Sequence, residues 1–411
     1  MGNLKKILAL IIASSLFFIA PAKFYAETPP APNVFGQYAV SIDAKTGDVL
    51  YDKNAYQHAY PASMTKVLTS ILLMEHVQPG ERIAFSPKAL EQEKSNYQIE
   101  FQAGETVDRD TALMILMVLS ANDMAYAIAE HIAGSPENFA KMMNEKALQL
   151  GAKDSHFVTP NGLHDPNHYT TPYDMAMITR GVMKYPEIMT AMNTKQTTVT
   201  TSRQTASIFN KGRYFENPNC IGGKTGFTNE ARNTLVEINE KDGNRIINVV
   251  MASQKPEIYE DMKQIADYAF PQFAKQQVLD KNNWTKEMPY LNKAVHGELE
   301  RSVELVLKQG EAKNVQAVFK ENPIDEAQLY KTGLHRGDVV GTVDIKKNNE
   351  TLESVKVLSK EDIAFEEPSK SKITNSIPSY VLAVGIGVGI LTVISIGIFL
   401  WKRKKQRTVS Q

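Results

Sequence analysis

The 411-residue chain carries 46 Lys+Arg against 46 Asp+Glu, 43% hydrophobic residues and a single cysteine, Cys220. That length predicts two or three domains with real cores. The charge balance speaks against a nucleic-acid partner, which demands a basic excess, and one cysteine excludes an intramolecular disulfide framework or a multi-cysteine metal site. The zero net charge is a sum of unlike parts. Lys5, Lys6 and Lys23 near the start, and Lys402, Arg403, Lys404, Lys405 and Arg407 near the end, have no acid beside them, which leaves 38 bases against 46 acids in residues 27–401.

Residues 1–26 read as a secretory signal: a basic Lys5-Lys6, an apolar run from Ile7 to Ala20, then small residues with possible cleavage after Ala22 or Ala26. After a short Pro-rich lead, Tyr38–Asp43 and Val49–Asp52 alternate around Lys45-Thr46-Gly47-Asp48 and predict a β-hairpin. Met64–Val77 has an apolar helical face, with Pro61 as a start signal. Asp110–Ile132 is a long apolar stretch interrupted at Ser120-Ala121-Asn122-Asp123. Ser135–Leu150 has Ser135 as N-cap and Gly151 as its stop, and Thr171-Pro172 opens a helix through Met183. Strands Thr234–Asn239 and Arg245–Ser253 flank a Lys241-Asp242-Gly243 turn, and Glu257–Phe270 returns to helix. The order predicts an antiparallel sheet with helices on both faces plus a helical subdomain, an α/β domain over 30–275.

From 280 to 360 the pattern changes to short strands (Ser302–Leu307, Val315–Phe319, Asp338–Ile345, Glu353–Val357), a small all-β, sandwich-like domain. Residues 361–379 read as a linker. No charge occurs from Ile373 to Trp401, and 380–401 has the length and apolarity of a transmembrane helix with Tyr380 and Trp401 at its interfaces. The basic tail 402–411 places the C-terminus in the cytoplasm by the positive-inside rule. The chain is therefore expected to be a single-pass membrane protein, held in the bilayer through 380–401, with its folded part on the extracytoplasmic face.

Three short motifs carry the candidate chemistry, and context chooses among their copies. Ser63-Met64-Thr65-Lys66 and Ser369-Lys370-Ser371-Lys372 share the Ser-x-x-Lys spacing. Only the first opens a helix, where i,i+3 spacing sets hydroxyl and amine on one face and a desolvated lysine near a second cation becomes a base. Ser120-Ala121-Asn122 is the one Ser-x-Asn. Lys-Thr-Gly occurs at Lys45, Lys224 and Lys331. The first and last read as turn residues. Lys224-Thr225-Gly226 precedes a strand in the same domain as the other motifs, where an edge strand can pair with an extended peptide.

The ordered set Ser63/Lys66, Ser120/Asn122, Lys224/Thr225/Gly226 resembles the penicillin-binding, active-site-serine family, in particular the low-molecular-mass D-alanyl-D-alanine carboxypeptidases. The resemblance covers about residues 35–365, including Asn161-Gly162-Leu163. It implies a β-lactamase/transpeptidase-like fold and no cofactor or metal. It implies that Ser63 is the nucleophile toward the carbonyl between two terminal D-alanines, that Lys66 takes its proton, and that Ser120 relays a proton to the leaving D-alanine. Asn122 would hydrogen-bond substrate backbone and Lys66. Lys224 would lower the proton affinity of Lys66, Thr225 in the Lys224-Thr225-Gly226 motif would bind the terminal carboxylate, and the backbone N–H groups of Ser63 and Phe227 would form the oxyanion hole. The implied partners are a peptidoglycan stem peptide ending in D-Ala-D-Ala and β-lactams as inhibitors. Two departures stand out: Phe227 stands where some relatives have a polar or histidine side chain, and Gln254–Asp261 lacks the arginine often found there, having only Lys255.

Other readings share parts of this chemistry. A β-lactamase would need a residue pattern for fast deacylation, and no Glu-x-x-x-Asn lies between Ser120 and Lys224. A transpeptidase differs only in its acceptor, and a non-catalytic wall-binding scaffold would have no chemical reason to keep all the motif residues. His164 and His168 have a zinc-like spacing, but Pro166 and Asn167 make the segment a loop. Cys220 reads as a buried or half-buried thiol, and Asp174 as a first-turn helix acid.

Overall fold

The computed structural model describes residues 30–366 apart from Asn96, Asn292, Ile324 and Asn349. The expected signal (1–26), transmembrane segment (380–401) and basic tail (402–411) thus lie outside the described residues, as does most of the linker. Among the described residues no helix is long and apolar enough to cross a membrane. Two compact units are present, one of 30–288, 296–322 and 339–358, the other of 289–295, 323–338 and 359–366. Ser63, Lys66, Ser120, Asn122 and Lys224–Gly226 all lie in the first, Lys331-Thr332-Gly333 in the second.

The predicted hairpin is β1 (Tyr38–Asp43) and β2 (Val49–Lys53). Asp43 accepts hydrogen bonds from the Lys45 N–H (2.8 Å) and the Thr46 hydroxyl (2.9 Å), and Gly47 takes φ 78°. That copy of Lys-Thr-Gly is a turn held by its own acid. Six helices of seven residues or more follow, besides a single helical turn at Pro87–Leu90: α1 (Lys66–His76), α2 (Arg109–Val118), α3 (Asn122–Ala133), α4 (Pro136–Gln149), α5 (Pro172–Val182) and α6 (Pro186–Met192). Their starts are local chemistry. Asp108, Ser135 and Thr171 each accept from the N–H three residues on, and Pro136 and Pro172 fill the first helical position. The interruption at Ser120 separates α2 from α3.

A hairpin outside the sequence expectations, β3 (Gln196–Thr200) with β4 (Thr205–Phe209), precedes the main strands. Its threonines and serines alternate, but too few apolar residues mark a buried face. Then come β5 (Cys220–Thr228), β6 (Arg232–Lys241) and β7 (Asn244–Ser253). Asp242 and Gly243, at φ 52° and 76°, make the tight β6–β7 turn. The antiparallel sheet runs β2–β1–β7–β6–β5, so β5 is an edge strand. Strand alternation sorts the side chains. Val40, Ile42, Val236, Ile238, Ile247 and Val249 face the helical core with Val67, Leu68 and Ile71 of α1. Ala39, Leu235 and Val250 face Ile258, Met262 and Ile265 of α7 (Glu257–Ala269). Helices therefore cover both faces, as expected.

The C-terminal part is mostly strand: β8 (Phe273–Leu279), β9 (Thr285–Tyr290), β10 (Lys293–Leu299), β11 (Val303–Lys308), β12 (Gln316–Glu321), β13 (Val339–Lys347) and β14 (Glu350–Ser359). Two corrections apply. Strand structure starts at Phe273, ahead of the expected boundary. The region is also not all-β: Asp325 caps a helix, α8 (Glu326–Thr332), by accepting from the Gln328 N–H (3.1 Å). Lys331-Thr332-Gly333 is the end of that helix rather than a simple turn, with Gly333 at φ 74°.

Asp261 of α7 ties this architecture together. It is buried and accepts from the Phe35 N–H (2.6 Å), the Gly36 N–H (2.9 Å) and the Ser253 hydroxyl (3.2 Å). Asp261→Ala leaves these donors without acceptors and is expected to cost about 2–4 kcal/mol. Thermal unfolding checks this, and an unchanged midpoint would refute it.

Candidate active site

Ser63 sits in a 3₁₀ turn (Ala62–Thr65) that runs into α1, and Lys66 is the first residue of the α-helix. Ala62 adopts φ 49°, a left-handed conformation rare for a residue with a Cβ. The turn at Gly162 (φ 81°) packs over it so closely that a Cβ at 162 would stand 1.9 Å from the Ala62 carbonyl oxygen. Only glycine permits that approach.

Lys66 is fully buried, and its Nζ lies 2.9 Å from Ser63 Oγ, 2.7 Å from Asn122 Oδ1 and 2.6 Å from the Asn161 carbonyl oxygen. The Asn122 amide is oriented by its own Nδ2, which donates to the Glu93 carbonyl at 2.7 Å. Two of the three neighbours of Lys66 can only accept, whereas the Ser63 hydroxyl can also donate. A neutral amine has two N–H bonds and one lone pair. Asn122 and Asn161 take the N–H bonds, and the lone pair is left for the Ser63 proton. Burial pushes the Lys66 amine well below its usual range, the Lys224 charge pushes it further down, and Asp123 acts in the opposite sense.

Lys224 lies on β5, also buried. Its Nζ donates to Ser120 Oγ (2.8 Å) and to the Thr225 carbonyl (2.8 Å), and burial brings its pKa down to about 7. Ser120 stands in the α2–α3 break at φ 58°, and its carbonyl accepts from the Ser95 hydroxyl at 2.6 Å. Gly226 runs against the Ser63 turn: a Cβ there would lie 2.8 Å from the Ser63 backbone nitrogen. The three motifs thus meet along one cleft of about 610 Å³, lined by Ser63, Ser120, Asn122 and Lys224–Phe227, with Phe209 and Lys255 on its walls. Phe227 is 60% exposed.

His164 lines the same cleft, whereas His168, Asp174 and Cys220 have structural roles. His168 is buried, and its Nδ1 accepts from the N–H groups of Val158 (3.0 Å) and Thr159 (3.2 Å), so its Nε2–H donates to Thr65 Oγ1 (2.9 Å). Burial brings its pKa down to about 3. With both ring nitrogens occupied it holds the 156–169 loop to the Ser63 turn. Asp174 is buried and accepts from the Asp154 N–H and the Ser155 hydroxyl, both at 2.7 Å. Burial pushes the Cys220 thiol up, and its Sγ lies 3.4 Å from the Gly222 carbonyl oxygen. Asn161 belongs to the Asn161-Gly162-Leu163 segment of the resemblance, but nothing there assigned its carbonyl to Lys66, and Glu93 and Ser95 had no motif to reveal them. Asn161 and Glu93 act through backbone oxygens, which every residue type possesses.

The pH dependence follows from the Lys66–Lys224 pair. Lys66 can accept the Ser63 proton only when neutral, so acylation should fall as pH drops through the Lys66 pKa. Lys224→Met removes the charge that depresses that pKa, so the acid limb of the acylation profile should move to higher pH. A limb that stays put or moves down would refute the coupling.

Two families match the chain: one described as D-alanyl-D-alanine carboxypeptidase over residues 25–255, and one described as Penicillin-binding protein 5, C-terminal domain, over 273–364. Among curated relatives, D-alanyl-D-alanine carboxypeptidase DacF of Bacillus subtilis is 30% identical over 374 residues, covering 88% of this chain and 95% of the relative. DacC of Escherichia coli is 27% identical, with 85% and 89% covered. Among solved structures, a peptidoglycan synthesis regulatory factor (PBP3) from Streptococcus pneumoniae superposes with a TM-score of 0.63 at 22% identity, over 81% of this chain and 100% of that one, a likeness of fold.

Proposed function

Because the chain belongs to the D-alanyl-D-alanine carboxypeptidase family, we propose that it removes the terminal D-alanine from peptidoglycan stem peptides through an acyl-enzyme on Ser63. The observation that carries this reading is the Lys66 amine, dry and aimed at Ser63 Oγ from 2.9 Å. Ser63 Oγ attacks the carbonyl carbon between the two D-alanines as its proton passes to Lys66 Nζ. The backbone N–H groups of Ser63 and Phe227 hold the resulting oxyanion. Collapse of that intermediate breaks the C–N bond, and Ser120, hydrogen-bonded to Lys224, passes a proton to the departing amine. Lys224 and Thr225 hold the terminal carboxylate, and Asn122 hydrogen-bonds the peptide backbone. The proton given to the amine is the one Lys66 took from Ser63, relayed by way of Ser120, so Lys66 is neutral again. Water then attacks the ester as Lys66 takes its proton, and return of that proton to Oγ as the C–O bond breaks restores Ser63. A β-lactam enters the same sequence but leaves no amine free to depart, so its acyl-enzyme persists.

The test is direct. Wild-type protein is expected to release D-alanine from a D-Ala-D-Ala peptide and to retain a labelled penicillin, and Ser63→Ala to do neither. Lys66→Arg keeps the charge but cannot act as a base, so acylation should nearly vanish. An unlabelled wild type would overturn the reading, rapid penicillin turnover would make the protein a β-lactamase, and peptide transfer to an added amine in preference to water would make it a transpeptidase.

The apolar runs at 1–26 and 380–401, each flanked by bases without acids, support an exported enzyme anchored by one C-terminal span. Full-length protein is then expected in the membrane fraction, with its folded part open to protease from outside, and a chain ending at residue 370 in the soluble exported fraction. Recovery of that shortened chain with the membrane would count against anchoring through 380–401.

A further inference from the structure

Behind the edge strand, on the face of the sheet covered by α7, lies a polar cluster that no catalytic step above uses. Glu237 and Asn239 on β6 are buried, as is Asn248 on β7, the register partner of Glu237. On its other side Glu237 stands opposite Gly223 of β5, the residue just before Lys224. Its Oε2 accepts hydrogen bonds from Nδ2 of Asn217 (3.2 Å) and Nδ2 of Asn239 (3.3 Å), and Asn217 Nδ2 also donates to Asn239 Oδ1 (2.7 Å).

Asn217 organises the entry to β5 with its remaining atoms. Its Oδ1 accepts from the Asn219 N–H (3.0 Å), its carbonyl accepts from the Cys220 N–H (3.0 Å), and the Asn219 carbonyl accepts from the Glu240 N–H (2.8 Å). The strand needs such help, because the β5–β6 register shifts between Cys220 and Gly222. Tyr214 closes the arrangement. Its ring lies so near Gly223 that a Cβ there would come within 2.8 Å of it.

We infer that Glu237 is a positioning residue: through Asn217 it sets where β5 begins, and so where Lys224 and Thr225 stand in the cleft. The inference rests on the assignment of Lys224 and Thr225 to substrate binding made above. A carboxyl in this place is held by amide donors rather than by a cation. The titratable groups facing it are Cys220 of β5, Tyr214 of the turn before it and Tyr259 of α7, none of them cationic. Burial accordingly raises its pKa to about 7, against the opposing pull of the Asn239 and Asn217 amides. Beside it the Asn248 amide has no hydrogen-bond partner at either its oxygen or its nitrogen, nor has the Ser41 hydroxyl that is the register partner of Asn248 on β1. The seam can therefore offer an ionised Glu237 a donor but no countercharge. Its pKa is raised above the ordinary 4.5, so the native state should lose stability as pH rises from about 4.5 through about 7.

The experiment measures acylation by labelled penicillin and thermal unfolding in the full chain. Glu237→Leu, which removes the acceptor, and Asn217→Ala, which removes the donor, are each expected to slow acylation between about tenfold and a hundredfold, the scale of a misplaced reacting group. Glu237→Gln keeps an acceptor of the same shape. It should recover most of the rate while flattening the loss of unfolding temperature between about pH 4.5 and 7. If Glu237→Leu fails to fold, Asn217→Ala decides. Wild-type acylation in Asn217→Ala and Glu237→Leu, even with lowered melting temperatures, would make the cluster merely structural and overturn the inference. An unlabelled wild type would remove the functional reading and this inference with it, whereas a labelled wild type with unaffected variants would remove this inference alone.

Discussion

Two lysine amines taken out of water and set near one another cannot both stay protonated cheaply, and the molecule is built around that constraint. An ammonium in a dry site lacks the hydration that stabilises it, and a second charge nearby adds repulsion. Lys66 meets both conditions and has two carbonyl acceptors and one hydroxyl within 3 Å to occupy the neutral form. The serine hydroxyl is a weak nucleophile on its own. What makes it reactive is a base whose proton affinity has been lowered by its surroundings rather than by its identity.

Holding that arrangement has a structural cost, visible in the backbone. Ala62 and Ser120, each beside or within a motif, both take left-handed conformations that cost about 1–3 kcal/mol each. Gly162 is pressed onto the Ala62 carbonyl, and His168 ties the same loop to Thr65. Large apolar layers on both faces of the sheet offset these terms, with α1 buried against one face and α7 against the other. The strained residues persist because their neighbours leave them no other place.

The edge position of β5 serves two purposes. Lys224 points from it toward Ser120, linking the second and third motifs by one hydrogen bond. The strand also leaves one side without a sheet partner, so an extended peptide can lie along it beside Ser63. Its start is irregular and is set by side chains from the opposite face, which makes the far side of the sheet part of the site's geometry.

Much of this was legible in the chain itself. Helix starts announced themselves through Ser135 and Thr171, the hairpins through Gly47 and Asp242-Gly243, and the break at Ser120 through its interruption of an apolar run, because caps and turns depend on neighbours in sequence. Ser63 and Lys66 were recognisable for the same reason: an i,i+3 pair where a 3₁₀ turn runs into a helix is a local fact. The three Lys-Thr-Gly copies were distinguishable only by context, and the structure shows why, since one is an acid-held turn, one a helix end and one an edge strand. A role played through a backbone oxygen, as by Asn161 and Glu93, leaves no mark on the residue type, and α8 and the β3–β4 hairpin have weak apolar patterns that give no clear period. Residue types, local elements and the charge pattern of the two ends are all written in the chain. Which distant groups meet at Lys66, and how dry their meeting place is, follows from the tertiary structure, because desolvation and proximity are properties of packing.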